Sequence, residues 1–468
     1  MQRTNLYIDG EWRPPLSGEY GDVENPATEQ LIGQVPAAGV ADVDSAVLAA
    51  REALAGWRVL TPSQRAEYLD RLFVALEQRR GHIAYTITRE LGTPVKTSVA
   101  IQTALPLRVL RSYVDLAAVI EFSERIGNSL VVKEPVGVVA AITPWNYPLH
   151  QIMAKVAPAL LAGCTIVLKP ADLAPLVAYV LADAVAEAGI PGGVFNLVSG
   201  QGSVLGPALV THPGVDMVSF TGSTEVGKQI AVLAADSVKK VALELGGKSA
   251  NVILDDADLA AAVKVGVGNA FLNAGQTCMA WTRMLVPYSA YEQALEIAKA
   301  ALTKYVPADP LAEETKLGPL ASAKQRSSVL SYIEIGLKQG ARLVAGGGEV
   351  PTRGHYVPAT VLADVKPDDV VAQEEIFGPV LAVIPYSDDD DAVAIANNSR
   401  YGLSGAVWSR DRNRALEIAR RMETGSVDIN GAAFNPLAPF GGSKQSGLGR
   451  ELGRYGLEEF FQIKAIQR

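Results

Sequence analysis

The chain has 468 residues, of which 49% are hydrophobic and 20% charged, and its formal net charge is −8. A chain of this length predicts two or three domains, and the acidic balance disfavours nucleic acid as a partner. Two cysteines are too few for a disulfide-stapled secreted protein, and four scattered histidines lack the spacing of metal ligands. The most apolar run, residues 136–143, is too short to cross a membrane, and the N-terminus has no apolar signal-peptide core. We therefore expect a cytoplasmic protein without a metal.

The first part of the chain predicts helices after a polar start that is rich in glycine and proline. Residues 41–57 and 65–91 carry apolar side chains at helical spacing. Residues 117–135 have the pattern of a strand-rich excursion that precedes the main sheet.

Residues 136–245 alternate short apolar runs with helical stretches, which is typical of a parallel sheet covered on both faces. The sequence predicts strands at 136–142, 165–168, 194–198, 217–220 and 240–245. It predicts helices at 173–188 and 204–210, and two more that end near 161 and 235. A second α/β region follows from 247 to about 446, and residues 460–468 predict a terminal strand.

Four notable residues follow these strands closely: Asn146, Lys169, Gly222 and Glu244. Ligands of such sheets bind beyond the carboxyl ends of the strands. The sequence therefore predicts that these residues gather around a binding site.

Cys278 lies in a loop-like sequence, Asn273–Cys278, whereas Cys164 stands at the start of an apolar strand. A free thiol is mostly protonated at neutral pH, so a nucleophilic cysteine needs local help. Backbone N–H groups of a loop can supply it. The pattern alone leaves open whether Cys278 is a nucleophile or a buried structural thiol.

Two polar residues have the chemistry to assist such a thiol. Glu244 ends an apolar strand, where desolvation raises the pKa of a carboxyl and suits it to general-base work. Asn146 can direct an amide donor at an oxyanion, although a turn asparagine between Pro144 and Pro148 explains it equally well.

Two further segments are suited to a dinucleotide. Gly222–Gly227 forms a glycine turn before a helix N-terminus, which favours a pyrophosphate but also serves merely as a helix cap. Lys169 and Asp172 follow a strand and could bind a ribose. The alternatives are a solvated lysine and an aspartate that caps the next helix.

Together these residues resemble the aldehyde dehydrogenase superfamily of non-phosphorylating, acid-forming enzymes. Seven motifs carry the resemblance in the family's order over essentially the whole chain. They are Pro144–Pro148, Lys169–Ala171, Phe220–Gly227, Glu244–Ser249, Gly275–Cys278, Glu374–Pro379 and Pro439–Lys444.

The resemblance implies an α/β fold with three parts. A Rossmann-like dinucleotide-binding domain would comprise 1–116 and 136–246, and an α/β catalytic domain 247–446. A small β oligomerisation flap would comprise 117–135 and 460–468. It also implies a homodimer or homotetramer.

The same resemblance implies oxidation of an aldehyde through a thioester on Cys278, with NAD as the preferred cofactor and NADP possible in its place. Asn146 and the Cys278 N–H would hold the oxyanion, and Glu244 would activate water. Lys155 and Glu451 match positions that are sometimes assigned to proton relay. The cofactor would contact Trp145, Lys169, Asp172, Gly222, Ser223, Gly227, Leu245, Glu375 and Phe377.

The substrate tunnel implied by the resemblance is mostly apolar and wide at Ala154, which predicts a medium-sized aliphatic or aromatic aldehyde. Its lining would be Tyr147, His150, Ala154, Leu272, Thr277 and Phe434. Relatives that prefer NAD usually carry glutamate where this chain has Asp172, but an aspartate keeps the negative charge that opposes the 2′-phosphate of NADP.

Other classes are less compatible with the sequence. A cysteine hydrolase needs a histidine beside Cys278, and the histidines are scattered. A serine hydrolase would show a Gly-x-Ser-x-Gly elbow, which is absent. Relatives that transfer the acyl group to coenzyme A usually lack the glutamate found here at position 244.

Overall fold

The largest sheet of the molecule has eight strands, five of them parallel and at its centre. A computed structural model describes residues 3–468. In spatial order the strands are Glu11–Arg13, Leu6–Ile8, Phe195–Leu197, Thr165–Lys169, Val138–Ile142, Met217–Thr221, Lys240–Glu244 and Gly447–Leu448. The first two and the last run antiparallel to their neighbours. The predicted α/β class is confirmed.

The five parallel strands are those predicted from their apolar runs, and nearly all their side chains are buried. The chain starts in the middle at Val138–Ile142, builds outward on one side, and then returns to build on the other from Met217–Thr221. A doubly wound sheet opens a crevice at such a reversal, beyond the carboxyl ends of the two strands. The topology therefore places a binding site after Ile142 and Thr221.

Helices cover both faces of this sheet. Preceding or joining its strands are Val40–Arg58, Pro62–Gln78, Arg80–Leu91, Val95–Thr97, a π-helical turn Ser98–Thr103, Ala104–Leu116, Pro148–Ala162, Leu176–Glu187, Gly202–Thr211 and Thr224–Ala235. The single helix predicted for 65–91 is wrong in one respect, because Arg79 leaves helical geometry and divides it in two. Thr61 begins the first of these helices by accepting a hydrogen bond from the Gln64 N–H.

The polar start forms short strands that the sequence analysis did not assign. Besides the two strands in the large sheet, Tyr20–Asn25 and Gln30–Pro36 form an antiparallel hairpin. The predicted helix 173–188 begins later, at Leu176, because residues 172–174 form a turn.

A second, seven-stranded sheet lies in the other half of the chain and is again mainly parallel. Its strands in spatial order are Arg342–Ala345, Thr360–Ala363, Val380–Tyr386, Arg283–Pro287, Ala250–Ile253, Gly405–Trp408 and Asp428–Ile429. Its helices are Leu259–Ala270, Tyr291–Leu302, Ala323–Lys338, Val370–Gln373, Asp389–Asn397 and Arg412–Arg421, with 3-10 turns at Leu272–Gly275 and Tyr288–Ala290.

The remaining elements lie outside the eight-stranded and the seven-stranded sheets. Tyr401–Gly402 pairs with Ser443–Lys444, and helix Gly453–Glu458 leads to the last strand. That strand, Phe461–Gln467, pairs with Ser129–Pro135, which pairs in turn with Ser123–Ile126. The strand-rich excursion and the terminal strand of the sequence analysis thus form one small sheet. The exact domain limits stay a prediction.

Within residues 3–468, no helix is both long and apolar enough to cross a bilayer.

Candidate active site

A cavity of about 300 Å³ opens at the crevice that the strand order predicts. It brings together residues from distant parts of the chain, eight of which the sequence analysis named as site residues. Its lining is Pro144, Trp145, Asn146, Thr221, Gly222, Ser223, Leu245, Gly246, Cys278, Gln325, Ser328, Tyr332, Glu375, Ile376 and Phe377.

Cys278 reaches this cavity from a left-handed turn. Asn273, Ala274 and Gly275 have φ angles of 52°, 56° and 73°, a conformation that costs L-residues roughly 1–2 kcal/mol each. Gly275 is required there, because a Cβ would lie 2.1 Å from the Gly378 carbonyl oxygen. The turn carrying Cys278 therefore packs directly on the loop that carries Phe377.

Asn146 is buried and held beside this turn. Its Nδ2 donates to the Gln276 carbonyl at 3.1 Å, and its own backbone carbonyl accepts from Asn273 Nδ2 at 2.9 Å. One Nδ2 hydrogen thus anchors the side chain. The other is not used by the Gln276 carbonyl, and Asn146 lines the same cavity as Cys278.

The electrostatic setting favours the neutral thiol of Cys278. Burial raises its pKa, and the carboxylates of Glu244 and Glu375 raise it further. The backbone N–H groups of Cys278 and Met279 oppose this rise. The other cysteine, Cys164, is fully buried, and its thiol faces the Phe460 carbonyl at 3.4 Å, as expected for a structural residue.

Glu244 ends strand Lys240–Glu244 and is buried. Burial raises its pKa well above the usual value, and the nearby Glu451 carboxylate adds to the rise, while Lys155 and Arg450 oppose it. Within residues 3–468, Oε1 of Glu244 has no hydrogen-bond partner. Desolvation of this kind makes the carboxylate a stronger base than one in water.

Lys155 and Glu451 form a buried ion pair near Glu244. Lys155 Nζ also donates to Thr221 Oγ1 at 2.6 Å. Thr221 ends the central strand and lines the cavity. The pair predicted as a proton relay is thus connected to the cavity wall.

The predicted glycine turn at Gly222 is followed by a helix N-terminus at Ser223. Ser223 caps helix Thr224–Ala235 by accepting from the Val226 N–H at 3.4 Å. Gly222 and Ser223 line the cavity, so the helix N-terminus opens onto it. Gly227, one turn into the helix, packs against Leu245 and does not line the cavity.

Glu375 and Phe377 form the opposite wall. Glu375 accepts from the Gly247 N–H at 3.2 Å, and burial raises its pKa to about 7. Gly246 allows this contact, because a Cβ there would lie 2.2 Å from Glu375 Oε2. The Phe377 ring meets Trp145 edge to face, with 5.3 Å between centroids.

Sequence reasoning missed Gln325. Its Nε2 donates to the Phe377 carbonyl at 2.8 Å and it lines the cavity. Phe377 has a φ of 56°, so this hydrogen bond supports a strained residue. No local pattern around Gln325 marks it, because the contact joins segments far apart in the chain.

Lys169 and Asp172 lie outside this cavity but contact each other as an ion pair. Asp172 also accepts from the Gly202 N–H at 3.1 Å. The alternative that Asp172 caps the next helix is wrong, because that helix begins after Pro175. The Asp172 carboxylate instead contacts the first residue of helix Gly202–Thr211, at the Gly202 N–H. Burial lowers the pKa of Lys169, and Asp172 opposes this shift.

Three of the predicted tunnel residues contact one another. Tyr147 donates through its hydroxyl to Thr277 Oγ1 at 2.8 Å, because Thr277 Oγ1 itself donates to the Leu272 carbonyl at 3.2 Å. Thr277 immediately precedes Cys278. The hydroxyl protons of Tyr147 and Thr277 are therefore both donated to groups within the protein.

The other tunnel residues are His150, Ala154 and Phe434. Burial lowers the pKa of His150 to about 4, so its ring is neutral at physiological pH. Ala154 is buried on the same helix, and Phe434 contacts Phe440 with 6.0 Å between ring centroids. None of the six tunnel residues lines the cavity described above, as far as residues 3–468 define it.

The arginines Arg108 and Arg111 do not line this cavity either. Arg111 pairs with Asp70 at 2.7 Å and lies over the Phe73 ring at 4.1 Å. The part of the chain that the structure describes contains no cluster of three metal-ligating side chains.

These features define a dinucleotide-dependent oxidoreductase that forms a covalent intermediate on a cysteine. They are the doubly wound sheet, the capped helix at its crevice, and the cysteine with a buried amide and carboxyl nearby. Residues 12–466 match the aldehyde dehydrogenase family. The chain belongs to that family.

Similar proteins agree with this assignment along the full length. A 3-succinoylsemialdehyde-pyridine dehydrogenase of Pseudomonas sp is 48% identical, with 98% of each chain covered. A geranial dehydrogenase of Castellaniella defragrans is 44% identical, covering 100% of this chain and 99% of the relative.

A solved structure also matches closely. A mutant of aldehyde dehydrogenase C from Pseudomonas syringae, in complex with NAD+ and octanal, has a TM-score of 0.98 and 45% identity, covering 99% of this chain and 96% of that one.

Proposed function

We propose that this aldehyde dehydrogenase uses Cys278 as its nucleophile and NAD+ as its hydride acceptor. The observation that carries the proposal is that Cys278 and Asn146 share one cavity with a helix N-terminus and with Glu375. Cys278 and Asn146 are suited to acyl chemistry, and the helix N-terminus and Glu375 are suited to binding a dinucleotide.

The cavity fits the nicotinamide half of the cofactor. Glu375 presents a carboxylate suited to ribose hydroxyls, and the N-terminus of helix Thr224–Ala235 suits a pyrophosphate. Trp145, Leu245 and Phe377 supply apolar surface for the ring. Bound there, NAD+ would supply the acceptor for the hydride of the aldehyde carbon.

The Cys278 thiol first releases its proton to solvent, and the thiolate Sγ then forms a bond to the aldehyde carbon and converts the carbonyl oxygen into an oxyanion. The second Nδ2 hydrogen of Asn146 and the Cys278 backbone N–H stabilise this charge. Loss of hydride from the carbon leaves a thioester on Cys278.

Glu244 then removes a proton from the water that attacks this thioester, and Cys278 leaves as thiolate while the acid is released. In the present structure the Glu244 carboxyl lies against Gly441 rather than in the cavity wall. The proposal therefore requires the Glu244 side chain to rotate toward the thioester in this step. Lys155 and Glu451 offer a route by which the proton leaves.

Preference for NAD over NADP rests on Asp172. Its carboxylate is held between Lys169 and the Gly202 N–H, so its position is fixed. We assign this region to the adenosine ribose. A 2′-phosphate placed there would meet a like charge, which is unfavourable.

The substrate is a medium-sized aliphatic or aromatic aldehyde. Support comes from the small side chain of Ala154 and from the Tyr147–Thr277–Leu272 chain, which leaves no free hydroxyl donor for a polar substrate. The octanal complex of the Pseudomonas syringae relative agrees with this size.

The small three-stranded sheet is assigned to self-association into a homodimer or homotetramer. Its outer strand Phe461–Gln467 is an edge strand with six of its seven residues exposed, including Ile463. An exposed apolar edge strand favours pairing with another chain. A cytoplasmic location stays a prediction from the sequence.

The test is absorbance at the reduced-nicotinamide band with purified protein, a panel of aldehydes, and NAD+ or NADP+ in parallel. We expect reduction with NAD+ that is lost in Cys278→Ala and kept in the matched control Cys164→Ala. Near-normal turnover by Cys278→Ala would contradict the proposal, as would acid formation without cofactor reduction.

A further inference from the structure

A π-helical turn, Ser98–Thr103, interrupts the helical segment that continues as Ala104–Leu116. Such turns are rare and occur frequently at functional sites, because they direct a side chain that a regular helix would direct elsewhere. Gln102 lies in this turn and has 0% of its surface exposed.

Gln102 contacts the segment that carries Asn146. Its Nε2 donates to the backbone carbonyl of Asn146 at 2.9 Å and approaches Thr93 Oγ1 at 3.4 Å. Thr93 in turn donates to Asn273 Oδ1 at 2.7 Å. One glutamine is thus connected both to the oxyanion amide and to the left-handed turn before Cys278.

The Asn146 carbonyl receives a second donor, Asn273 Nδ2, at 2.9 Å. The Asn146 side chain donates to the Gln276 carbonyl, which Asn273 Nδ2 also reaches at 3.4 Å. These bonds close a ring between the two segments. Gln102 lies outside this ring. It holds the Asn146 backbone through its own hydrogen bond to the Asn146 carbonyl.

We propose that Gln102 is a positioning residue, which sets the direction of the Asn146 amide toward the substrate oxygen. This inference rests on the proposed role of Asn146. Gln102 acts through Asn146 and the turn before Cys278, and it touches neither substrate nor cofactor.

The cost of burying this amide supports a functional role. Gln102 Oε1 has no hydrogen-bond partner within residues 3–468, and burying an unpaired polar group is unfavourable. A methionine would fill the same space without that cost. The presence of a glutamine is explained by its Nε2, which holds the Asn146 backbone carbonyl in place.

The first test compares Gln102→Met with the wild-type enzyme. We expect kcat/KM to fall by roughly ten- to a hundredfold, because small misplacements of an oxyanion donor are costly. The dissociation constant of NADH, measured by tryptophan fluorescence, should stay unchanged. The matched control is Thr103→Val in the same turn, a buried residue whose Oγ1 is unpaired within the described chain; it should keep wild-type activity.

A double-mutant cycle separates positioning from a general structural effect. If Gln102 acts through Asn146, Gln102→Met should cost less than about threefold in an Asn146→Ala background, since coupled sites are not additive. An equal loss in both backgrounds would overturn the inference, as would wild-type kcat/KM in Gln102→Met.

A second variant keeps the test decisive if Gln102→Met does not fold. In Gln102→Glu the introduced carboxyl donates only when protonated. Its activity relative to wild type should therefore fall as pH rises, and a flat ratio would overturn the inference. Absence of cofactor reduction by the wild-type enzyme itself would instead contradict the proposed function.

Discussion

Asn146 and Gln276 are joined by a hydrogen bond of 3.1 Å from the Asn146 amide to the Gln276 backbone carbonyl, although 130 positions separate them in the chain. Gln276 stands two residues before Cys278. The bond therefore fixes the proposed oxyanion donor relative to the proposed nucleophile, while the second amide hydrogen stays free.

Asn146→Ala removes that donor. We expect kcat/KM to fall by about 10²–10³, the usual effect of losing one oxyanion donor. Steady-state rates with one aldehyde test this, and Asn435→Ala on a surface loop serves as control. A loss below about threefold would remove Asn146 from the oxyanion site, since one donor accounts for far more.

Asp172→Ala removes the charge proposed to oppose NADP+. We expect the ratio of kcat/KM for NADP+ over NAD+ to rise about tenfold or more, because like charges near the protein surface repel by a few kcal/mol. The matched control is Asp22→Ala, because Asp22 and Asp172 both line a second cavity of about 400 Å³ near Lys324 and His355. Equal ratios in both variants would show that the Asp172 charge does not select the cofactor.

The reactivity of Cys278 should rise with pH, because burial and the Glu244 and Glu375 carboxylates raise its pKa. Removing one carboxylate should lower that pKa. We therefore expect Glu375→Gln to shift the pH profile of Cys278 alkylation by iodoacetamide to lower pH.

Glu374→Gln is the control for this experiment, because Glu374 is the neighbouring residue and pairs with Arg400 at 2.7 Å. It should leave the alkylation profile in place. A Glu375→Gln profile that coincides with wild type would rule out the electrostatic contribution of Glu375.

Ala154→Phe tests the width of the substrate site. A phenyl ring in place of the buried methyl should lower kcat/KM for octanal more than for acetaldehyde, since overpacking excludes the longer chain. The ratio of the two values, with Ala157→Ser on the same helix as control, is the measurement. An unchanged ratio would place the substrate elsewhere.

The sequence predicted the five parallel strands well, because most of their side chains are apolar and buried. It also led to Asn146, Gly222 and Glu244, since the ends of parallel strands meet at one edge of the sheet. Local composition was sufficient in each of these cases.

Contacts between segments that are distant in the chain could not be predicted from the sequence. Neither Gln102 nor Gln325 belongs to a recognisable motif, and only the fold brings them to Asn146 and Phe377. The break at Arg79 was missed for a related reason, because apolar spacing continues on both sides of it.

The central claim is that the acyl group is carried on Cys278 and released with the help of Glu244. The most direct measurement is peptide mass spectrometry of Glu244→Gln after mixing with NAD+ and octanal. We predict an octanoyl thioester on Cys278, with NADH formed in an amount equal to the enzyme and little further turnover. Undiminished steady-state turnover without an adduct, or an adduct on another residue, would contradict the account.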